Sequence, residues 1–151
     1  MRATVSWNGP ALGEGTSDMG FTATTGSGHV FAMDGAAAEG EKGIGGRNHA
    51  ARPMEVVLAG TGGCTAYDVV MILRRGRHAV ARCEVALEAE RAPTDPKVFT
   101  KIHFHFTVIG TGLKDEVVER AITLSHEKLC SASIMLAKTA TLTHSFEIRE
   151  A

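Results

Sequence analysis

The feature that most constrains this chain is the stretch that begins at Pro53. From residue 54 to residue 73 it is almost wholly apolar or small, and residues 56–67 carry no charge at all. Proline is favoured at the first position of a helix, where its missing N–H has no helical partner to lose. Residues apolar on all sides predict a helix buried in the middle of the structure rather than one lying on its surface. The uninterrupted segment between Glu55 and Asp68 has 12 residues, short of the roughly 20 that cross a bilayer, so the expectation is a core helix and not a membrane span. Gly60, Gly62 and Gly63 each cost roughly 1 kcal/mol against alanine in a helix. Three of them just before Cys64 predict that another backbone packs close there. Arg74 and Arg75 place cations at the negative end of the helix, and Gly76 is the expected cap.

The remaining elements are shorter. Residues 1–7 alternate with Ala3, Val5 and Trp7 on one face, and residues 19–24 repeat the pattern with Met19, Phe21 and Ala23. A turn at Gly26-Ser27-Gly28 leads into residues 29–33, so the second and third strands read as a hairpin. A glycine-rich loop to about Asn48, carrying Gly40, Gly43, Gly45 and Gly46, has the length of a functional lid or interface loop. After the long helix, residues 82–90 and 100–109 alternate around a Pro-containing turn. Residues 114–130 carry a helical stripe of Val117, Val118, Ala121, Ile122, Leu124 and Leu129 behind an acidic first turn. A short helical piece, 131–137, and a closing strand, 139–148, complete a single domain spanning 1–151. Strands and helices come in blocks, so the class is α+β and not alternating βαβ.

With 16 Lys and Arg against 17 Asp and Glu, the chain lacks the basic footprint of a nucleic-acid binder or of a polybasic membrane surface. Its 5% aromatic content leaves little for base stacking. Three cysteines are the wrong number for a secreted disulfide scaffold, and the opening residues have no apolar signal core, so a reducing cytoplasmic setting is expected. Cys83 alternates with Val85 and Leu87 and reads as core. Cys64 lies mid-helix and Cys130 at the end of the second main helix; spacing alone does not decide whether they meet. Glu55 is nine residues before Cys64, about 900° around a helix and about 13 Å along it, hence on the opposite face. It reaches that thiol only from a second subunit or across a bend. Asp68, at i+4, shares the face of Cys64, where a carboxylate opposes thiolate formation unless a cation intervenes. Arg47 and Arg52 are the nearest cations in sequence. His103 and His105 share one strand face with Lys101 and Thr107 but no further ligand at metal spacing, so they read as a solvent-facing surface and no metal is expected. No phosphate-binding glycine loop, HExxH array or GxSxG elbow is present.

The segment RPMEVVLAGTGGCT, residues 52–65, followed by Asp68-Val69-Val70, resembles the central-helix signature of the OsmC/Ohr superfamily, the osmotically inducible and organic hydroperoxide resistance proteins of the stress response. PKVFTKIHFHF (96–106), LSHEKLCSASIMLAKT (124–139) and THSFEI (143–148) are similar to its YhfA-type branch. The resemblance implies an OsmC-like α+β fold, antiparallel sheets wrapped around long buried central helices of an intertwined homodimer. Such an assembly agrees with an all-apolar helix that one chain of this length would struggle to cover. It further implies that Cys64 is a peroxidatic thiolate reducing small or fatty hydroperoxides, that Cys130 resolves its sulfenic acid to an intramolecular disulfide, and that an external dithiol reduces the disulfide, with no bound cofactor. Glu55 is the matching catalytic carboxylate, displaced by one residue: the peroxidases place Glu directly after the helix-opening Pro, where this chain has Met54. The early hairpin, 24–29, has no Arg, and Ser131 rather than Pro follows Cys130. The alternative role is a non-catalytic member that binds an apolar ligand in the dimer cleft or senses redox state through its cysteines.

Overall fold

The computed structural model describes residues 1–10, 17–37 and 45–151, so Gly40 and Gly43 of the glycine-rich loop lie outside the described residues. These residues fall into two compact units, Met1–Val57 and Leu58–Ala151. The first is built on an antiparallel meander of β1 (Ala3–Trp7), β2 (Phe21–Thr25) and β3 (Val30–Met33). The β2–β3 hairpin is as expected, and Gly28 at φ +87° takes the left-handed conformation that the turn requires. Behind β3, the buried Asp34 ties the unit together. Its Oδ1 accepts from Ser17 Oγ at 2.5 Å and from Gly35 N at 2.7 Å, and its Oδ2 accepts from the backbone N–H groups of Arg47 and His49, both at 3.0 Å. Burial opposes ionisation of this carboxyl, but those four donors outweigh it and hold the pKa at about 2.

The long helix α1 runs Pro53–Arg75. Pro53 occupies its first turn, and Glu55 reaches back to accept from Arg52 N at 2.9 Å, as the third residue of a capping box does. The same carboxylate lies 3.9 Å from the Arg52 guanidinium. At the other end the left-handed residue is Arg77 (φ 60°), not Gly76, whose N–H still bonds to Ile72 O at 2.9 Å. By length and composition alone α1 is long and apolar enough to cross a membrane. Its buried residues, however, are Thr61, Gly62, Thr65, Asp68, Val69 and Leu73, a stripe with polar members.

The expectation of a helix buried all round is not met within one chain: Tyr67 is 70% exposed. Nor does another backbone crowd the glycines. Gly62 faces the side chain of Leu87, which a Cβ would meet at 2.6 Å, whereas Gly60 and Gly63 have nothing within 4 Å.

The second sheet consists of β4 (Ala79–Arg91), β5 (Phe99–Thr111) and β6 (Thr141–Glu150) in the order β4-β5-β6. β4 and β5 are antiparallel, but β5 and β6 are parallel, which corrects the expectation of wholly antiparallel sheets. The cause is the helical connection 112–140, which returns the chain to the end of the sheet where β5 began. From Ile102 on, β5 alternates: Ile102, Phe104, Phe106 and Val108 are fully buried and, with Val118, Ala121 and Ile122 of helix α2 (Asp115–Leu124), make up most of the core. The expected continuous helix over 114–130 is interrupted. After α2, residues Ser125–Leu129 form a π-helical turn, and Cys130 leaves it in extended conformation (φ −72°, ψ 101°) to become the N-cap of helix α3 (Ser131–Leu136).

Candidate functional site

The π turn is what puts Cys130 where it is. A π-helical turn accommodates one residue more than an α-helical turn and re-aims the chain after it. Here Cys130 N bonds to Ser125 O at 2.8 Å, spanning the wide turn, and the next helix starts at the cysteine itself. Cys130 Sγ accepts from Ser133 N at 3.4 Å and from Ser133 Oγ at 3.2 Å, in the position where a serine or aspartate oxygen ordinarily caps a helix. Burial is the largest influence on this thiol and raises its pKa, a hydrogen bond to Cys64 adds to the rise, and the two Ser133 donors act in the opposite sense. No cation is among these influences.

Cys64 meets Cys130 from α1. Its Sγ, a carboxylate oxygen of Asp68 and Cys130 Sγ all lie within 4.8 Å of one another. Cys130 is buried and Cys64 is half-buried. The i, i+4 spacing sets Asp68 beneath Cys64. Ser125 then links helix and π turn: its hydroxyl donates to Asp68 Oδ2 at 3.0 Å. Ser125 and Thr65 hydroxyl oxygens are 2.9 Å apart. Because the single Ser125 hydrogen is given to Asp68, Thr65 is the donor in that contact. The chain of bonds therefore runs Thr65 to Ser125 to Asp68, all three side chains buried.

The two cysteines singled out in the sequence thus come together, and Asp68 joins them. Glu55 is engaged at the start of α1 with Arg52, as described above. Ser125, Ser133 and Thr65 carry no sequence signal of their own beyond being polar residues in otherwise apolar helical stripes. Cys83, expected in the core, is only half-buried on β4, and burial pushes its thiol up to about 11. His103 and His105 are occupied by their neighbours on β6: His103 contacts Thr143 Oγ1 at 2.8 Å and Ser145 Oγ at 2.9 Å, and His105 contacts Ser145 Oγ at 2.8 Å. His126, on the π turn, stacks edge-on to Phe104 and face-on to His144, with centroids 4.7 and 5.5 Å away. Neither of its ring nitrogens has a hydrogen-bond partner among the described residues. Burial, and then the neighbouring His144, lower its pKa to about 4, so this ring is neutral at physiological pH.

Of the described residues, only Cys64, Asp68 and Cys130 group closely enough for three side chains to share one metal ion. An open hollow of about 700 Å³ lies along α1, lined by Gly63, Ala66, Tyr67, Val70 and Met71 together with Arg74 and Arg75 at the helix end; Cys64 is not among its lining residues.

Comparison with known proteins identifies the family and the fold. Residues 46–145 match the family model described as OsmC-like protein. The chain is 45% identical over 148 residues to Protein YhfA of Escherichia coli K12, covering 98% of each. A solved structure from structural genomics is 42% identical and superposes with a TM-score of 0.81 over the whole of both chains. An organic hydroperoxide resistance protein OsmC from Legionella pneumophila, 17% identical, matches with a TM-score of 0.63 over 97% of each chain and shares the fold.

Proposed function

This chain belongs to the OsmC-like family, and from that premise we propose that it is a thiol-based redox protein in which Cys64 and Cys130 cycle between dithiol and disulfide while a hydroperoxide is reduced. The observation that carries the reading is the pair of sulfurs within 4.8 Å of each other, one on a half-buried residue of α1 and one on a buried residue. That asymmetry suits a division of roles. The Cys64 thiolate attacks the distal oxygen of a hydroperoxide, the O–O bond breaks, and the alkoxide leaves as an alcohol once protonated. Cys64 is then a sulfenic acid. Cys130, relieved of its proton and with two donors from Ser133 at its sulfur, attacks Cys64 Sγ. The S–O bond breaks, water leaves and the disulfide forms. An external dithiol returns both sulfurs to thiols. The fold shared with an organic hydroperoxide resistance protein supports the choice of oxidant.

A homodimer is part of the proposal. The exposed apolar side of α1, with Tyr67 at 70% exposure and with Gly60 and Gly63 bare of any neighbour, is the surface that a second copy of α1 would cover. The glycines cost helix stability for no gain inside one chain, and closely approaching helices repay them. In that assembly the Arg52–Glu55 pair of one protomer is offered as the helper of Cys64 in the other.

The test mixes reduced protein with an alkyl hydroperoxide in a stopped-flow instrument and follows thiol loss and mass. Rapid loss of two thiols with a Cys64–Cys130 disulfide supports the reading. Loss no faster than for free cysteine refutes it. Cys64→Ser should abolish turnover, and Cys130→Ser should stop at the sulfenic acid. Sedimentation should give twice the chain mass, reduced to one by Tyr67→Glu.

A further inference from the structure

We propose that the reduced Cys64–Asp68–Cys130 cluster is a binding site for a thiophilic divalent cation such as Zn²⁺. This inference does not rest on peroxide turnover; it follows from the ligand set and its spacing. Two sulfurs and one carboxylate oxygen converge from α1 and from the N-cap of α3, each within 4.8 Å of the other two. Around a tetrahedral zinc, with metal–sulfur bonds of about 2.3 Å and metal–oxygen bonds of about 2.1 Å, sulfurs stand about 3.8 Å apart and sulfur and oxygen about 3.6 Å apart. The cluster is therefore within about 1 Å of closing on an ion, a movement that side-chain rotation supplies. Cysteine and aspartate together suit zinc and its neighbours rather than magnesium or calcium, which take oxygen ligands only.

The surroundings have the form of an outer shell. Ser125, itself held by Thr65, donates to Asp68 Oδ2 and fixes the carboxylate plane. Ser133 supplies two donors to Cys130 Sγ. Such contacts orient ligands and temper the charge of a bound thiolate. Three protein ligands leave one tetrahedral position for water, on the half-buried side of Cys64. On binding, the two thiols release their protons to solvent and the metal takes their place. Three negative ligands against a doubly positive ion leave a single excess charge, which hydrogen bonds from serines can spread. Nothing is oxidised. Metal and disulfide draw on the same two sulfurs, so each excludes the other.

The experiment titrates reduced, metal-free protein with Co²⁺ under anaerobic conditions and then displaces it with Zn²⁺. One Co²⁺ per chain with thiolate-to-cobalt charge-transfer absorption is expected, bleached by Zn²⁺. Cys64→Ser and Cys130→Ser should remove that absorption, and Asp68→Asn should weaken binding at least tenfold. Cys83→Ser and the double variant His103→Ala/His105→Ala should leave it unchanged. Since a substitution in the cluster can disturb folding, unmutated protein alkylated at its reachable thiol provides a second arm, which should also lose the absorption. No charge-transfer band in the unmutated reduced protein overturns the proposal. So does a band of undiminished strength in both single cysteine variants. Peroxide-driven disulfide formation is measured separately on metal-free protein, so either idea can fail without the other.

Discussion

Replacing Ser125 with alanine removes one oxygen from the interior, and the structure allows its cost to be worked out. The Ser125 hydroxyl is fully buried, donates to Asp68 Oδ2 at 3.0 Å and accepts from Thr65 at 2.9 Å. Without it, a carboxylate loses a charge-assisted bond worth about 1.5–3 kcal/mol, and the buried Thr65 hydroxyl loses its acceptor at a cost of about 1–3 kcal/mol. Local relaxation recovers part of this, so a loss of about 3 kcal/mol is expected. For a chain near 150 residues each kcal/mol moves the melting temperature by about 2–4 °C, so Ser125→Ala should melt roughly 6–12 °C lower. Urea and thermal denaturation measure it, with Thr123→Ala as the control. Thr123 makes only an exposed 3.4 Å contact to Glu119 and should cost under about 0.5 kcal/mol. A double-mutant cycle sharpens the test: Thr65→Val removes the stranded hydroxyl, so Thr65→Val/Ser125→Ala should cost less than the sum of the single changes by about 1 kcal/mol or more. A Ser125→Ala protein within about 0.5 kcal/mol of the unmutated one, or strict additivity in the cycle, would refute the chain of bonds.

Three other outcomes follow from the same structure. A Cys64–Cys130 disulfide closes a loop across 66 sequence positions, and the loop-closure model gives up to about 4 kcal/mol of stabilisation. Oxidised protein should therefore melt above reduced protein, and an oxidised form that melts lower would mean the bridge strains the fold. His126 titrates at about 4 in the folded chain against 6.5 in the unfolded chain. Its neutral, buried state is thus at no disadvantage above pH 6.5, and stability falls between about pH 6.5 and pH 4, by about 3 kcal/mol at most. His126→Phe should remove that portion of the pH dependence in denaturation curves taken across the window; an unchanged slope would place the titration elsewhere. Cys83, raised to about 11 by burial, should be alkylated by iodoacetamide at neutral pH far more slowly than free cysteine, as peptide mapping would detect.

Much of the fold is legible because it is written in local periodicity. Pro53 and the apolar run behind it mark α1 to within a residue or two of its observed limits, and alternation on 100–109 sorts β5 into its buried and open faces. What periodicity misses is of two kinds. The stripe of Val118, Ala121 and Ile122 continues to Leu124 and Leu129 at nearly helical spacing, so the one-residue slip that creates the π turn leaves no trace in the apolar pattern. The parallel pairing of β6 depends on where the helical connection 112–140 delivers the chain, and a strand's own residues do not record its neighbour's direction. The sidedness of α1 is a third case. Its composition is that of a helix covered all round, while the chain buries only Thr61, Gly62, Thr65, Asp68, Val69 and Leu73 of it.

The site divides along the same line. Cys64 and Asp68 are separated by one helical turn, so their common face follows from spacing. The approach of Cys130 does not. It needs the π turn to widen the last helical turn and to pack His126 on Phe104 and Phe106 of β5, and the chain to restart at the cysteine as an N-cap. Each step is set by packing between residues distant in sequence, as the 57-position separation of Asp68 and Ser125 illustrates. On α1 the polar residues stand out as exceptions: Thr61, Thr65 and Asp68 interrupt the most apolar helix of the chain. A buried helix keeps polar side chains at a cost unless each finds a partner. The exceptions on α1 therefore imply a polar partner for that face, and only the fold shows that Ser125 supplies it.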